Sequence, residues 1–299
     1  MRTPRFSCLA LAAALSLSLA ACGGGDDEAE VATPEAEVEE APEFEAGSRM
    51  AELSEAGKLT VGTKFDQPLF GMANLEGEPE GFDVEIAKLL AAKLGIKEDG
   101  IEWVESVSAN REPFLEQGRV DMVVATYTMN DKRDMVVDFA GPYFLAGQDI
   151  MVAKGNPKKI MGPDDLAGNK ICSVSGSTPA ATVQDEYGVT TADLTLFDTY
   201  LKCKDALSNG QVDAVTTDNV ILAGYVDESP DEFELVGEPF TEEPYGIGIP
   251  EGQEDFCDWI NETLAEAAED GSYAEAFEST AGEVIETTPE LPEPKGCEN

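Results

Sequence analysis

Several short stretches of this chain carry side chains whose type and spacing suit the capture of a small charged molecule. Arg133 stands five residues beyond Thr126-Tyr127-Thr128, the end of an apolar run. A guanidinium there can hold a carboxylate through two parallel N–H bonds, with the Thr128 hydroxyl and the Thr126 backbone completing the shell. Within the charged run Asp131-Lys132-Arg133-Asp134 the same residue also reads as a surface arginine. Asp218 closes another strand-like run, where a carboxylate can take an ammonium group or, equally, act as a helix N-cap. Ser177-Thr178 follow a strand and a glycine and open a helix, so their N–H groups and hydroxyls can receive an anion or only cap the helix. Lys64 at a strand end and Arg111 at a helix start stand out among few bases; the alternative for each is a salt bridge on an acidic surface. A free amino acid presents a carboxylate, an ammonium and a side chain, and each charge must be paired once buried.

These side chains need elements to position them. Strands are expected at 59–63, 101–104, 120–125, 149–153, 170–174, 212–216 and 245–249. Helices are expected at 82–94, 110–117, from 178, and at 202–208, 254–268 and 273–277. A loop with Pro68 and Gly71 follows the first strand, and Phe82, Trp103 and Phe139 read as core. Alternating strands and helices predict an α/β fold with parallel sheets, whose sites lie at strand C-terminal ends and helix N-termini. Phe65 and Phe70 are placed to pack against the methylenes of a ligand.

Composition narrows the chemistry. The 299 residues include no histidine, which excludes Ser-His and Cys-His nucleophile pairs, imidazole–zinc sites and a histidine pH switch. No Cys-x-x-Cys pair or glycine-rich phosphate loop is present, so neither a metal nor a cofactor is expected. A formal net charge of −42, from 61 acids against 19 bases, argues against nucleic acid and anionic membrane surfaces as partners. Such self-repulsion destabilises a compact state at low salt, which suggests a saline working medium; an acidic secreted protein is the plainer alternative.

Residues 1–21 read as a signal peptide, with Arg2 and Arg5 before an apolar run from Cys8 to Ala21. The run ends in Leu19-Ala20-Ala21-Cys22, similar to the bacterial lipobox in which the cysteine is acylated, with palmitate as an expected chain. An ordinary signal peptide with an incidental cysteine is the alternative. From Cys22 to about residue 50 an acidic tether, rich in Ala, Pro and Gly, is expected to stay disordered, and the tail 283–299 is again acidic and Pro-rich apart from its cysteine. After Cys8 and Cys22, four cysteines remain, with three possible pairings. Cys172 in a strand and Cys203 at the head of a helix in the same segment favour Cys172–Cys203, which leaves Cys257–Cys297 to fasten the tail.

Several runs together resemble the solute-binding proteins of polar amino-acid ABC importers. They are Gly81-Phe82-Asp83-Val84-Glu85-Ile86-Ala87, Ser108-Ala109-Asn110-Arg111-Glu112, Thr126-Tyr127-Thr128 with Arg133, Asp138-Phe139-Ala140-Gly141-Pro142-Tyr143, Ser175-Gly176-Ser177-Thr178 and Asp213-Ala214-Val215-Thr216-Thr217-Asp218. They cover about residues 58–280 in the expected order. Lys64-Phe65-Asp66-Gln67-Pro68, Ala146-Gly147-Gln148-Asp149, Cys172-Ser173-Val174 and Tyr245-Gly246-Ile247-Gly248 are more narrowly similar to actinobacterial glutamate-binding lipoproteins.

The resemblance implies a two-lobe Venus-flytrap (periplasmic-binding-protein) fold joined by two hinge strands near Ile150 and Tyr245. One lobe would be 51–150 plus 247–282 and the other 151–246. It assigns Arg133, Thr126, Thr128, Ser177 and Thr178 to the ligand's carboxylate end and Asp218 to its ammonium. Basic residues at the places of Lys64 and Arg111 pair a side-chain carboxylate in dicarboxylate-binding members. This favours L-glutamate, with L-aspartate next and glutamine as the alternative. Those members also carry a histidine near the position of Tyr200, which this chain lacks. The implied protein is a monomeric receptor on the outer face of the cytoplasmic membrane, tethered through Cys22, that serves an ABC importer permease. A dehydratase or lyase on the same fold, or a sensor domain, are the competing classes; no cluster of acids outdoes the binding pattern.

Overall fold

A computed structural model describes residues 38–40 and 42–297. The signal segment, Cys22 and most of the tether lie outside the described residues. Two five-stranded sheets organise the fold. The first runs Ile101–Glu105, Leu59–Thr63, Met122–Val123, Glu243–Ile249, Asp138–Ala146, and the second Leu194–Phe197, Ile171–Val174, Ala214–Asp218, Gln148–Ala153, Phe233–Leu235. With helices packed on both, they form two lobes of an α/β fold.

The sheets are mixed rather than parallel as expected. Four strands of each run the same way, but Glu243–Ile249 and Gln148–Ala153 run antiparallel to both their neighbours. These two strands are laid down by chain passing between the sheets, not by a β-α-β crossover, so nothing forces them parallel. Asp138–Ala146 leaves the first sheet and, after Gly147, becomes Gln148–Ala153 of the second. The return passes through Thr241–Glu243, and its strand pairs with the outgoing one from Glu243↔Ala146 to Ile249↔Asp138. The crossing ribbon thus bends a few residues before Ile150.

The segment expected as a loop after the first strand is a three-stranded meander, Asp66–Gln67, Gly71–Ala73 and Pro79–Glu80. Its strands are too short for alternation to register in the sequence. The helix Asn219–Glu228 and the edge strands Leu194–Phe197 and Phe233–Leu235 also add to the expected set. Helix Phe82–Lys93 buries Phe82, Ile86 and Leu90 at helical spacing against the first sheet. Phe82, Phe70, Tyr143, Phe144, Tyr245 and Phe277 form one aromatic group, with ring centroids 5.3–6.3 Å apart in contacting pairs. Phe70 therefore belongs to the core, and Phe65 is half-buried and does not line the cleft described below. Trp103 is half-buried against this core and Phe139 is buried beside Tyr127.

Two disulfides join Cys172 to Cys203 and Cys257 to Cys297. The first ties a central strand of the second sheet to the helix Tyr200–Ser208; the second holds the tail on the helix Glu254–Asp270. The tail is further fixed by the Lys295 amide, which donates to the Gly141 carbonyl at 2.8 Å. The described end of the tether is likewise held. Phe44 meets Trp259 edge-on at 6.1 Å, and helix Arg49–Ala56 begins within the span expected to be disordered. One aromatic among the acids, and Ser48 accepting the Ala51 amide as an N-cap, anchor what net charge alone would leave free.

Candidate functional site

Between the lobes, a narrow cavity is lined by residues from both. The first lobe contributes Gln67, Ser108, Arg111, Thr126 and Thr128, the second Ser177, Thr178, Tyr200, Thr217, Asp218 and Ile221. Seven of the residues picked out in the sequence therefore meet there. Lys64 and Arg133 do not line the wall but stand one bond behind it. Lys64 Nζ donates to the Ser108 hydroxyl at 2.9 Å, and an Arg133 Nη donates to the Thr128 carbonyl.

The first-lobe wall is a strained turn held by a buried carboxylate. Thr126, just past the short strand Met122–Val123, has φ +43, a conformation that a β-branched residue adopts only under constraint. Asp83, at the start of helix Phe82–Lys93, accepts the Thr126 amide at 2.8 Å, and the Thr126 hydroxyl donates to Gln67 Oε1 at 2.8 Å. The turn aims carbonyls at Arg111, whose Nη1 donates to Ala125 and Thr126 at 3.1 and 3.2 Å and whose Nε donates to Ser108 at 3.3 Å. Both guanidiniums lie over the Tyr127 ring, Arg111 at 4.1 Å and Arg133 at 5.0 Å, a cation–π pairing for each. Arg133 is committed further: Nε donates to Glu112 at 3.0 Å and Nη2 reaches the Gly176 carbonyl of the other lobe at 3.0 Å.

The second-lobe wall is built from helix starts and a strand end. Ser177 accepts the Ala180 amide and so caps helix Thr178–Asp185, leaving Thr178 to point across the cleft. The Thr178 hydroxyl donates to Glu243 at 2.8 Å and stands 3.4 Å from the Thr128 hydroxyl. Asp218 occupies the N-cap position of helix Asn219–Glu228 yet makes no capping bond. Instead Oδ2 accepts from the Tyr245 hydroxyl at 2.6 Å, and Oδ1 is buried with no partner among the described residues. The N-cap reading of this aspartate is thus replaced by a carboxylate with one acceptor oxygen unused, although buried polar atoms are normally satisfied.

Charge in this cleft is poorly solvated. Burial, then Arg111, pushes the Lys64 ammonium down to about 7, and burial, then Arg133, pushes Arg111 down to about 10. Burial, then Glu243, pushes Asp218 up to about 7, and burial pushes Asp83 up to about 7. Among the described residues neither Lys64 nor Arg111 forms a salt bridge with a carboxylate; each bonds only neutral oxygens. Sequence reasoning missed Gln67, Ser108 and Thr217 in the wall, and Asp83, Glu112 and Glu243 behind it. All but Glu243 lie inside the runs that carried the resemblance; the roles of the carboxylates gave no separate signal in so acidic a chain. No helix of the described residues is long and apolar enough to cross a membrane.

A family model described as bacterial extracellular solute-binding proteins, family 3, matches residues 59–283. The glutamate-binding protein GluB of Corynebacterium efficiens is 40% identical over 250 residues, 80% of this chain and 84% of that one. The ABC transporter glutamine-binding protein GlnH of Bacillus subtilis is 39% identical over 230 residues, 76% and 82% of the two chains. Among solved structures, an ancestral arginine-binding protein bound to glutamine superposes with a TM-score of 0.69 at 36% identity, covering 75% of this chain and 97% of that one. A solute receptor for L-cysteine of Neisseria gonorrhoeae gives 0.75 at 31% identity, covering 82% and 99%.

Proposed function

We propose that this chain, which belongs to family 3 of the bacterial extracellular solute-binding proteins, captures L-glutamate between its lobes and delivers it to an ABC importer from a lipid anchor at Cys22. The observation that carries the choice of an acidic ligand is the pair of buried cations that bond only neutral oxygens, Lys64 and Arg111. A buried charge not bonded to a counter-charge is costly, and a ligand side-chain carboxylate at Ser108 and Arg111 would offset that cost. Thr126, Thr128, Ser177 and Thr178 take the α-carboxylate, backed by the charge of Arg133 one bond behind Thr128, and the unused oxygen of Asp218 takes the ammonium. Tyr200 closes the wall beside them. L-aspartate offers the same groups on a shorter stem.

The lobe bounds expected from the sequence, 51–150 with 247–282 and 151–246, are moved here to 51–146 with 243–282 and 148–242, because Gln148–Ala153 pairs in the second sheet and Glu243–Ile249 in the first. They swing about Ala146–Gln148 and Thr241–Glu243, and ligand contacts made to both lobes only when closed shift the equilibrium to the closed form. A second reading, glutamine, is favoured by one feature of the wall: Gln67 supplies an amide there, and a glutamine-binding relative is nearly as similar as the glutamate-binding one.

Calorimetry with glutamate, aspartate, glutamine and asparagine tests the assignment. Glutamate is expected to bind tightest, with at least a tenfold loss on Lys64→Met. Equal or tighter glutamine binding would overturn the acidic-ligand reading. For the anchor, Cys22→Ser is expected to move the protein from the membrane fraction to the medium and to abolish labelling by radioactive palmitate. An unchanged membrane fraction would refute it.

A further inference from the structure

We infer that the small meander of the first lobe is a clasp that sets how tightly the lobes shut, and hence the affinity, through contacts outside the cavity. Helix Tyr200–Ser208 of the second lobe follows Thr199, whose side chain makes no capping bond. The Tyr200 amide is taken instead by Asp66 Oδ2, at 2.7 Å, from the opposite lobe. The Tyr225 hydroxyl, on helix Asn219–Glu228, donates to the Asp66 carbonyl. One turn of meander thereby grips two helices of the other lobe, and Asp66, Tyr200 and Tyr225 are all buried there.

Gly224 shows how close this approach is. A Cβ on it would lie 2.9 Å from Pro68 Cβ, 3.0 Å from the Pro68 carbonyl and 3.2 Å from Leu69 Cγ. Leu69 itself is held at φ +72, a strained setting for a bulky side chain, at the point of contact. The backbone of Gly224 is ordinary helix, and glycine weakens a helix interior relative to alanine. Its use here is the room it leaves for Pro68. Gly176 makes the matching approach at the other lip, 2.7 Å from Ala109 Cα for a Cβ, but its φ of +79 demands glycine anyway. Gly224 is therefore the position where closure can be perturbed alone.

The physical consequence follows from where these bonds exist. Opening the lobes exposes the Tyr200 amide and the Asp66 carboxylate to water, so their bond counts only toward the closed state. A ligand that needs closure then gains or loses affinity with the clasp, whatever its own contacts. The inference rests on the reading that these lobes close on an amino acid, but not on which one.

The test compares the mature chain with Gly224→Ala and Asp66→Asn. Calorimetry with L-glutamate gives affinity, small-angle scattering at saturation gives lobe closure, and the melting temperature without ligand gives fold integrity. Gly224→Ala is expected to melt at the same or a higher temperature, to bind at least tenfold more weakly and to contract less on saturation. Asp66→Asn is expected to bind severalfold more weakly with an intact fold. Wild-type affinity and contraction in both variants would overturn the clasp. If the wild type prefers L-glutamine, or another amino acid of a protein-residue panel, the glutamate reading falls. The same comparison with that amino acid still decides the clasp.

Discussion

Replacing Asp218 by Asn should weaken binding and at the same time steady the ligand-free closed form. The side chain keeps its shape, and an amide oxygen can still accept from Tyr245, now 2.6 Å from Oδ2. What is lost is the negative charge proposed to meet the ligand's ammonium. Removing one partner of a buried charge pair costs about 2–5 kcal/mol, or roughly 30- to 5,000-fold in Kd. In the empty closed cleft the sign reverses. Burial and Glu243 raise the carboxyl from 3.8 to about 7, a penalty on its ionised form of at most ~4 kcal/mol. A raised acid destabilises fully above its folded value and not at all below its unfolded one. Stability of the unliganded wild type should therefore rise as pH falls from 7 toward 4, and that slope should flatten in the variant. Opening of the lobes hydrates the carboxylate and makes the measured gain smaller than this ceiling. Calorimetric titration at pH 7 and thermal melts from pH 4 to 8 read both effects. A variant Kd within threefold of wild type, or an unchanged pH slope, would refute the role given to Asp218.

Lys64 should give glutamate affinity an alkaline limb. Its ammonium is held near 7 by burial and Arg111, and a bound carboxylate raises that value, so affinity should fall as pH climbs past it. Glutamine titrated over the same range should show no such fall, and Lys64→Met should abolish the difference between the two ligands; parallel profiles would sever Lys64 from the ligand side chain. Removing the Cys172–Cys203 disulfide, which spans 31 residues, by paired Ser substitution should cost about 4 kcal/mol, read as a melting temperature lower by on the order of 10 °C. A drop of under about 2 °C would mean the bridge constrains little. A formal net charge of −42 predicts that melting temperature climbs between low and molar NaCl as repulsion is screened. A flat profile would discard the saline-medium expectation.

Much of the cleft was legible because its signals are local. Arg133, Asp218 and Ser177-Thr178 stand at strand ends and helix starts, and those places follow from the period of apolar residues over a few turns of chain. Lys64 and Arg111 stood out because bases are rare against so many acids. The same abundance of acids hid Asp66, Asp83, Glu112 and Glu243. Which carboxylate turns inward depends on partners far away in sequence, such as Tyr200 for Asp66, 134 residues on. The mixed sheets escaped for a related reason. Strand periodicity gives faces but not directions, and direction depended on which chain crosses between the lobes.

The sequence by itself determined the α/β class, the set of elements that present the polar groups, and the sign of the charges that converge on the cleft. These rest on short-range periodicity and on residue chemistry, which need no partner. Only the tertiary structure decided that Arg133 and Lys64 stand behind the wall while Arg111 faces the cavity, and that Asp218 keeps an oxygen unused. It alone decided that Asp66 and Gly224 join the lobes beyond the cavity. Each of those outcomes is set by packing between segments remote along the chain, where burial and close approach select one partner among many chemically equal ones.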